Sequence, residues 1–228
     1  MLVTDRHRLV ADTGAPPGAW ASVLTAQIAG AVAGDIDLIQ VREPDLDAGV
    51  LSTFLLNLFA VVPGSRSRVV VNSMVEVARA VNARGVHLPE WLPVRDVRAL
   101  VSTDKEWVTG RSVHTIQAAA DSEGASYLLA GTVASSESKP AGWTTLGWEG
   151  LAALVSAARG IPVLAIGGLD TGDIPAIVRA GATGIAGIGC FIPRRPVDVT
   201  EFAQARAIAM RLAFDTVGAV TYTEEPDR

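Results

Sequence analysis

The stretch Val163–Phe191, VLAIGGLDTGDIPAIVRAGATGIAGIGCF, narrows the folds open to this chain more than any other. It reads as strand, glycine turn, short helix, strand, glycine turn. Val163–Ile166 is an unbroken apolar run, the pattern of a strand buried on both faces. Gly167-Gly168 follows its C-terminal end. Asp170 or Thr171 is placed to cap a helix carrying Ile174, Ile177 and Val178, and Gly181 closes that helix. Gly184–Ile188 forms the next apolar strand, ending in Gly187 and Gly189. Two such turns after consecutive parallel strands let main-chain N–H groups reach an anion without side-chain obstruction. In eight-fold β/α barrels the loops after strands seven and eight are the usual phosphate site. Gly167, Gly168, Gly187, Ile188 and Gly189 are therefore candidate phosphate-binding residues, although glycines also serve as plain helix stops.

The remainder of the chain supplies six more apolar strand segments: Leu2–Thr4, Ile36–Val41, Val69–Val71, Gly85–Leu88, Trp107–Arg111 and Tyr127–Ala130. Helical spacing recurs between them, over Trp20–Val32, Leu46–Val62, Met74–Asn82, Pro93–Val101, Thr115–Glu123 and Trp148–Arg159, with a last helix over Val199–Phe214. The segment from Asp5 to Gly18 is expected as loop, as is the long polar stretch Gly131–Gly147. Eight strands alternating with eight helices predict an α/β fold, a (βα)8 TIM barrel over residues 1–214, followed by a polar, disordered tail over 215–228. An open doubly wound sheet would need a glycine fingerprint after the first strand. The chain offers only Thr4-Asp5-Arg6 there, and neither Gly-x-Gly-x-x-Gly nor a P-loop occurs elsewhere.

Composition removes several classes of partner. A net charge of −5 with scattered Lys and Arg lacks the basic stripe that nucleic-acid binding needs. Cys190 is the single cysteine, so no internal disulfide forms and a reducing compartment fits. Residues 1–10 lack a secretory h-region, and Leu51–Val62 is too short to span a bilayer. The expectation is a cytoplasmic protein with no membrane or nucleic-acid partner, whose apolar first helices offer a face for a homodimer.

A barrel gathers the C-terminal strand ends at one mouth. Gln40, Arg42, Asn72, His87, Ser112, His114, Thr132 and Lys139 fall there, beside the two glycine turns. Arg42 is the best anion clamp, since its planar fork offers two parallel hydrogen bonds, with a salt bridge to Glu43 as the alternative. Asn72 and Ser112 suit neutral contacts to a ligand or to loop backbone. His87 fits a satisfied interior histidine, His114 either caps a helix or reaches the mouth, and His7 lies in a charged, solvated segment. Three histidines so scattered give no metal-ligand spacing.

These words, in order, resemble the thiamine phosphate synthase and TenI-type thiazole tautomerase superfamily. They are Val3-Thr4-Asp5-Arg6, Ile39-Gln40-Val41-Arg42-Glu43, Val71-Asn72, Gly85-Val86-His87-Leu88, Gly110-Arg111-Ser112-Val113-His114-Thr115, Gly147–Leu151, Ile161–Gly168 and Ala180–Ala186. The resemblance implies a (βα)8 barrel that binds a phosphorylated thiazole, a small phosphorylated heterocycle, through its seventh and eighth loops. Synthase members also bind a pyrimidine pyrophosphate with magnesium and join the two by displacing pyrophosphate. Gln40, Arg42, Asn72, Ser112 and Lys139 match their pyrophosphate-site positions. Their two magnesium carboxylates do not match: Ser73 and Leu92 stand there, with Glu90 nearby, and Pro44 replaces a lysine. Magnesium on pyrophosphate is held by one or two carboxylates plus phosphate oxygens, so that loss weakens the synthase expectation.

The Gly110–His114 word with Leu88-Pro89 is closer to the tautomerase branch, which moves a ring proton of a thiazole phosphate carboxylate with no metal or cofactor. Its acid/base histidine is Thr132 here, and a threonine hydroxyl exchanges protons poorly near neutral pH. His114 and Glu43 are the substitutes, so His114, Glu43 and Thr132 are the candidate catalytic residues. Three readings stand: a metal-free tautomerase with altered acid/base, a magnesium-dependent synthase, and a non-catalytic phosphate-ligand binder.

Overall fold

In the computed structural model, which describes residues 1–101, 106–135, 144–195 and 197–223, eight short strands run parallel in chain order. They are β1 (Leu2–Val3), β2 (Ile39–Val41), β3 (Val69–Asn72), β4 (Gly85–Leu88), β5 (Val108–Val113), β6 (Tyr127–Gly131), β7 (Val163–Ile166) and β8 (Gly184–Ala186). The ladder returns to its start. Leu2 bridges Gly187, the Val3 N–H donates to the Gly187 carbonyl at 3.0 Å, and the Gly187 N–H donates to the Met1 carbonyl at 3.2 Å. This is the (βα)8 barrel that the alternation of elements predicts.

The helices among the described residues are α1 (Arg6–Thr13), α2 (Trp20–Ala33), α3 (Ala48–Val61), α4 (Val75–Ala80), α5 (Val94–Val101), α6 (Ile116–Ala120), α7 (Gly147–Ala157), α8 (Ile174–Arg179) and α9 (Val199–Thr223). None of them is long and apolar enough to cross a membrane. Strand alternation sorts the core into two shells. Leu2, Ile39, Val41, Val69, Val71, Leu128, Ala130, Val163 and Ala165 point outward and are buried under the helices. Val3, Val70, Tyr127, Leu129 and Ala186 fill the interior with partly buried Leu164 and Ile166. Interior filling stops at the C-terminal ends, where polar side chains take over. Register sets them side by side: Gln40 opposite Val70, Asn72 opposite His87, His87 opposite Gly110, and Ser112 opposite Leu129.

Three differences from the sequence expectations have physical causes. The segment after Asp5 is not loop but helix α1. Asp5 caps it by accepting the Arg8 N–H, Gly14 ends it at φ 70°, and Leu9 and Val10 bury one side. Only two buried apolar residues among charged neighbours make that helix hard to read from periodicity. The final helix does not stop at Phe214 but runs to Thr223. One interior glycine, Gly218, costs about 1 kcal/mol and does not end a helix whose Val217 still packs on the core. Strand β2 begins at Ile39 rather than Ile36, because the Ile36 N–H instead closes the C-terminus of α2 on the Ala31 carbonyl.

Candidate active site

The floor of the mouth is a buried polar row. Gln40, 2% exposed, donates from Nε2 to the Oδ1 of half-buried Asn72 at 2.8 Å, and its own Oε1 has no partner. A buried acceptor left unpaired is costly, so this oxygen is the natural contact for a ligand donor. His87, 1% exposed, sits beside them with Nδ1 2.9 Å from the Tyr127 hydroxyl and Nε2 2.9 Å from the Ser112 hydroxyl. Burial, helped by the nearby Arg42 charge, lowers its pKa from 6.5 to about 3. The imidazole is therefore neutral, one nitrogen donating and the other accepting. Burial likewise pushes the Tyr127 phenol up, so it stays protonated. The Tyr127 ring needs the space over Gly110, where an added Cβ would lie 2.1 Å from it. His87 is thus the satisfied interior histidine its sequence context suggests, with Ser112 at the outer end of the row.

Arg42 is exposed above this row, and the alternative reading of it, an ion pair with Glu43, does not hold. Glu43 turns the other way and is 3% exposed. It accepts from the Thr4 hydroxyl at 2.6 Å, from the Arg6 N–H at 3.2 Å and from the Arg6 guanidinium at 3.1 Å. Desolvation pushes its pKa up against these donors. Arg6 also forks onto Asp45 at 2.5 Å, pulling that carboxyl well below the usual range, and lies 5.4 Å over the Trp20 ring. Thr4 completes the link by accepting the Arg42 N–H at 2.9 Å. Both Glu43 oxygens are occupied by structural donors, so Glu43 anchors the loop that presents Arg42 and is not placed as a proton carrier.

On the opposite rim, Thr115 caps α6 by accepting the Ala118 N–H, which leaves the His114 ring free of that duty. His114 is exposed and its Nδ1 donates to the Gly131 carbonyl, the residue before Thr132. Glu90 accepts the His114 N–H at 2.8 Å. Buried Arg111 braces the same corner. It donates to the carbonyls of Ala118 and Asp121 at the end of α6, to the Ser122 hydroxyl and to the Glu90 carbonyl. Half-buried Thr132 accepts the Leu146 N–H at 2.9 Å, and the Gly147 N–H donates to Val133 at 3.0 Å, so the ends of the long loop are zipped together. Lys139 lies outside the described residues.

The two glycine turns lie side by side. The stem after β6 is tied to the first of them, Val133 N–H to the Ile166 carbonyl and Ala134 N–H to the Gly167 carbonyl. Gly167 and Gly168 take φ of 105° and 66°, backbone that glycine alone adopts cheaply. Among the described residues, no backbone bond outside the ladder and helices uses the N–H of Gly168, Ile188 or Gly189. These donors suit an anion, as the sequence pattern implies. Gly187 differs: its N–H serves barrel closure, and an added Cβ would meet the packed Cys190 sulfur.

The donor set for magnesium does not match the synthase pattern. Ser73 offers a hydroxyl bonded to Asn72 at 3.1 Å, Leu92 packs against Val75, Val86, Leu88, Val94 and Val97, and Glu90 is engaged by His114. No group of three or more metal-ligating side chains exists among the described residues. Two carboxylates converging on a pyrophosphate are absent from this set. A cavity of about 710 Å³ lies elsewhere, outside the barrel between the starts of α2 and α3, and none of the candidate site residues lines it.

Arg6, Tyr127 and Arg111 belong to the site's framework yet carry no local signal, because their partners are distant in sequence. Thr4-Asp5-Arg6 and Gly110–His114 were visible only as recurring words.

Comparison with known proteins agrees with this architecture. The model of the family described as thiamine monophosphate synthase (TMP-TENI) matches residues 8–191. Thiamine-phosphate synthase from Azorhizobium caulinodans is 33% identical over 89% of this chain and 90% of that protein. The Anaeromyxobacter dehalogenans thiamine-phosphate synthase is 37% identical over 69% of this chain and 70% of that one. Among solved structures, thiamine phosphate pyrophosphorylase from Pyrococcus furiosus superposes with a TM-score of 0.73 at 25% identity, covering 95% of both chains.

Proposed function

The chain belongs to the thiamine monophosphate synthase family, and on that premise we propose that it is a synthase-type transferase joining a thiazole monophosphate to a pyrimidine pyrophosphate. The observation that carries this reading is a mouth with two anion-facing halves. On one side are the N–H groups of Gly168, Ile188 and Gly189, which no backbone bond outside the ladder and helices takes up among the described residues; on the other, Arg42 stands over Gln40, Asn72 and Ser112. The printed names of the relatives favour the same chemistry over a tautomerase.

In this reaction the bond between the pyrimidine methylene carbon and the pyrophosphate oxygen breaks, and pyrophosphate leaves with the electron pair. The thiazole ring nitrogen supplies the pair for the new C–N bond. The amide turns fix the thiazole phosphate, and the unpaired Gln40 oxygen accepts from the pyrimidine partner. Arg42 meets the charge growing on the leaving group, with Asn72, Ser112 and Lys139 as further donors. No step is assigned to magnesium, because the side chains that would hold it do not fit.

A second reading rests on His114. Its Nδ1 is fixed on Gly131, beside the position where the tautomerase branch carries its histidine, which leaves Nε2 for proton transfer to a thiazole phosphate carboxylate. One pair of assays separates the two. Pyrophosphate release that needs both half-substrates and collapses in Arg42→Met supports the transferase. Exchange of the thiazole carboxylate proton, seen by NMR without any pyrophosphate release, overturns it in favour of the isomerase.

A further inference from the structure

Helices α2 and α3 differ from the rest of the outer shell in charge. Each has 14 residues, and neither carries an Asp, Glu, Lys, Arg or His, in a chain whose residues are 19% charged. Every other helix of six or more residues among the described ones has at least one charged side chain. A barrel helix normally turns charged and polar residues to water opposite its buried stripe. Helix α3 buries Leu51, Phe54, Leu55 and Leu58, so at about 3.6 residues per turn Gly49, Thr53, Leu56 and Ala60 point most directly outward. Val50, Asn57 and Val61 form the next stripe. Leu56 is 50% exposed, Val50 43% and Val61 66%. A helix that is apolar on every side belongs in an interior, yet the outward side of this one stands open to solvent among the described residues.

The groove beside α3 extends this face. Its cavity of about 710 Å³ is lined by Trp20, Ala21, Val50, Phe54 and Asn57, with the Trp20 and Phe54 rings 5.3 Å apart. Of its lining residues Asp47 alone is charged, and that carboxylate caps α3 by accepting the Val50 N–H at 2.9 Å. Charge decides what fits. An anionic bilayer is met through Lys and Arg beside an apolar stripe, and neither helix has one. A partner steered by opposite charge needs countercharges at the contact, and these are missing too. A two-fold pair sets one patch against itself, so each charge on it would meet its own kind. Two copies that each carry a net charge of −5 repel least where neither presents any. Protein interfaces are likewise poor in charge at their centre and rich in aromatic residues.

We propose that the α2–α3 face is the contact through which two copies of this chain pair, the groove of each receiving apolar side chains from the other. None of this depends on the reaction at the mouth. The test is sedimentation equilibrium of the full chain at micromolar concentrations, beside Leu56→Glu and Val61→Glu on α3 and, as a control, Leu100→Glu at a similarly exposed position on α5. The unmodified chain and Leu100→Glu are expected at twice 23.7 kDa. Each α3 substitution buries two carboxylates per pair, so association should weaken at least about a hundredfold. Those variants should sediment at 23.7 kDa with melting temperatures unchanged, because both positions are exposed in the single chain. Pairing that survives both α3 substitutions, or an unmodified chain that stays at 23.7 kDa throughout, overturns the proposal. An equal loss in Leu100→Glu overturns it as well, since association would then follow surface charge and not this face. So does flotation of the unmodified chain, but not of Leu56→Glu, with phosphatidylcholine–phosphatidylglycerol vesicles, which would give the face to a bilayer.

Discussion

His114 donates its Nδ1 proton to the main-chain carbonyl of Gly131, so the exposed Nε2 is the nitrogen able to take up or release a proton at the end of β6. His114→Asn keeps an amide donor near that carbonyl and removes the base. Positioned acid/base groups contribute about 10²-fold to 10⁴-fold. Under the isomerase reading the substitution should therefore lower thiazole proton exchange by about 10²-fold or more, whereas under the transferase reading pyrophosphate release falls only severalfold. Equal losses in both assays would mean that His114 serves to shape the corner and carries no proton.

The Arg6–Glu43 pair predicts a stability effect with a reporter in the site. Removing one member of a buried pair costs about 3 kcal/mol, because the other is left uncompensated. Arg6 retains Asp45 after Glu43→Gln, whereas Glu43 loses its guanidinium partner in Arg6→Met. Urea unfolding should therefore show the larger loss for Arg6→Met. Because Thr4 links Glu43 to the Arg42 N–H, Glu43→Gln should also raise KM for the pyrophosphate substrate more than it lowers kcat. A fall in kcat alone at unchanged KM would return Glu43 to the chemistry.

His87 makes stability depend on pH in a defined window. Folded, its pKa is lowered from 6.5 to about 3; unfolded, the ring gains a proton near the ordinary value. Between the two, the unfolded chain binds more protons. This contribution is therefore complete above 6.5 and is lost as pH falls toward 3, at about 1.4 kcal/mol per pH unit. Unfolding free energies followed from about pH 7 to about pH 4 should fall more steeply for the unmodified chain than for His87→Gln. Parallel profiles would mean that the ring is already protonated in the folded state.

Local pattern carried the barrel but not the bracing of its mouth. Unbroken apolar runs such as Val163–Ile166 and Val69–Val71 announce doubly buried strands whatever surrounds them, so strand order was legible. Helix α1 was not, because Leu9 and Val10 are its only buried apolar residues and stand among three basic ones, of which Arg6 is buried only through partners distant in sequence. Glu43 looked available because its real partner, Arg6, lies 37 residues away. The glycine turns were legible as turns, since Gly167 and Gly168 need left-handed backbone, but Arg8 beside Gly189 comes from a helix at the other end of the chain.

Ser73 offers the sharpest test of how the leaving group is handled. It holds φ at 61° after β3 and donates its N–H to the His87 carbonyl at 2.9 Å, immediately beyond Asn72. Asp is among the few residues enriched in that left-handed region, so Ser73→Asp brings no backbone conflict. It restores one of the two carboxylates that the family's synthases carry. Leu92→Asp is unsuitable as a first step, because it would set a charge against the cluster of Val75, Val86, Leu88, Val94 and Val97. Magnesium titrations of pyrophosphate release should therefore reach a higher maximum in Ser73→Asp than in the unmodified chain, at similar thermal stability. If the two titrations coincide, position 73 does not face the leaving group, and Arg42 acts on an anion held elsewhere in the mouth.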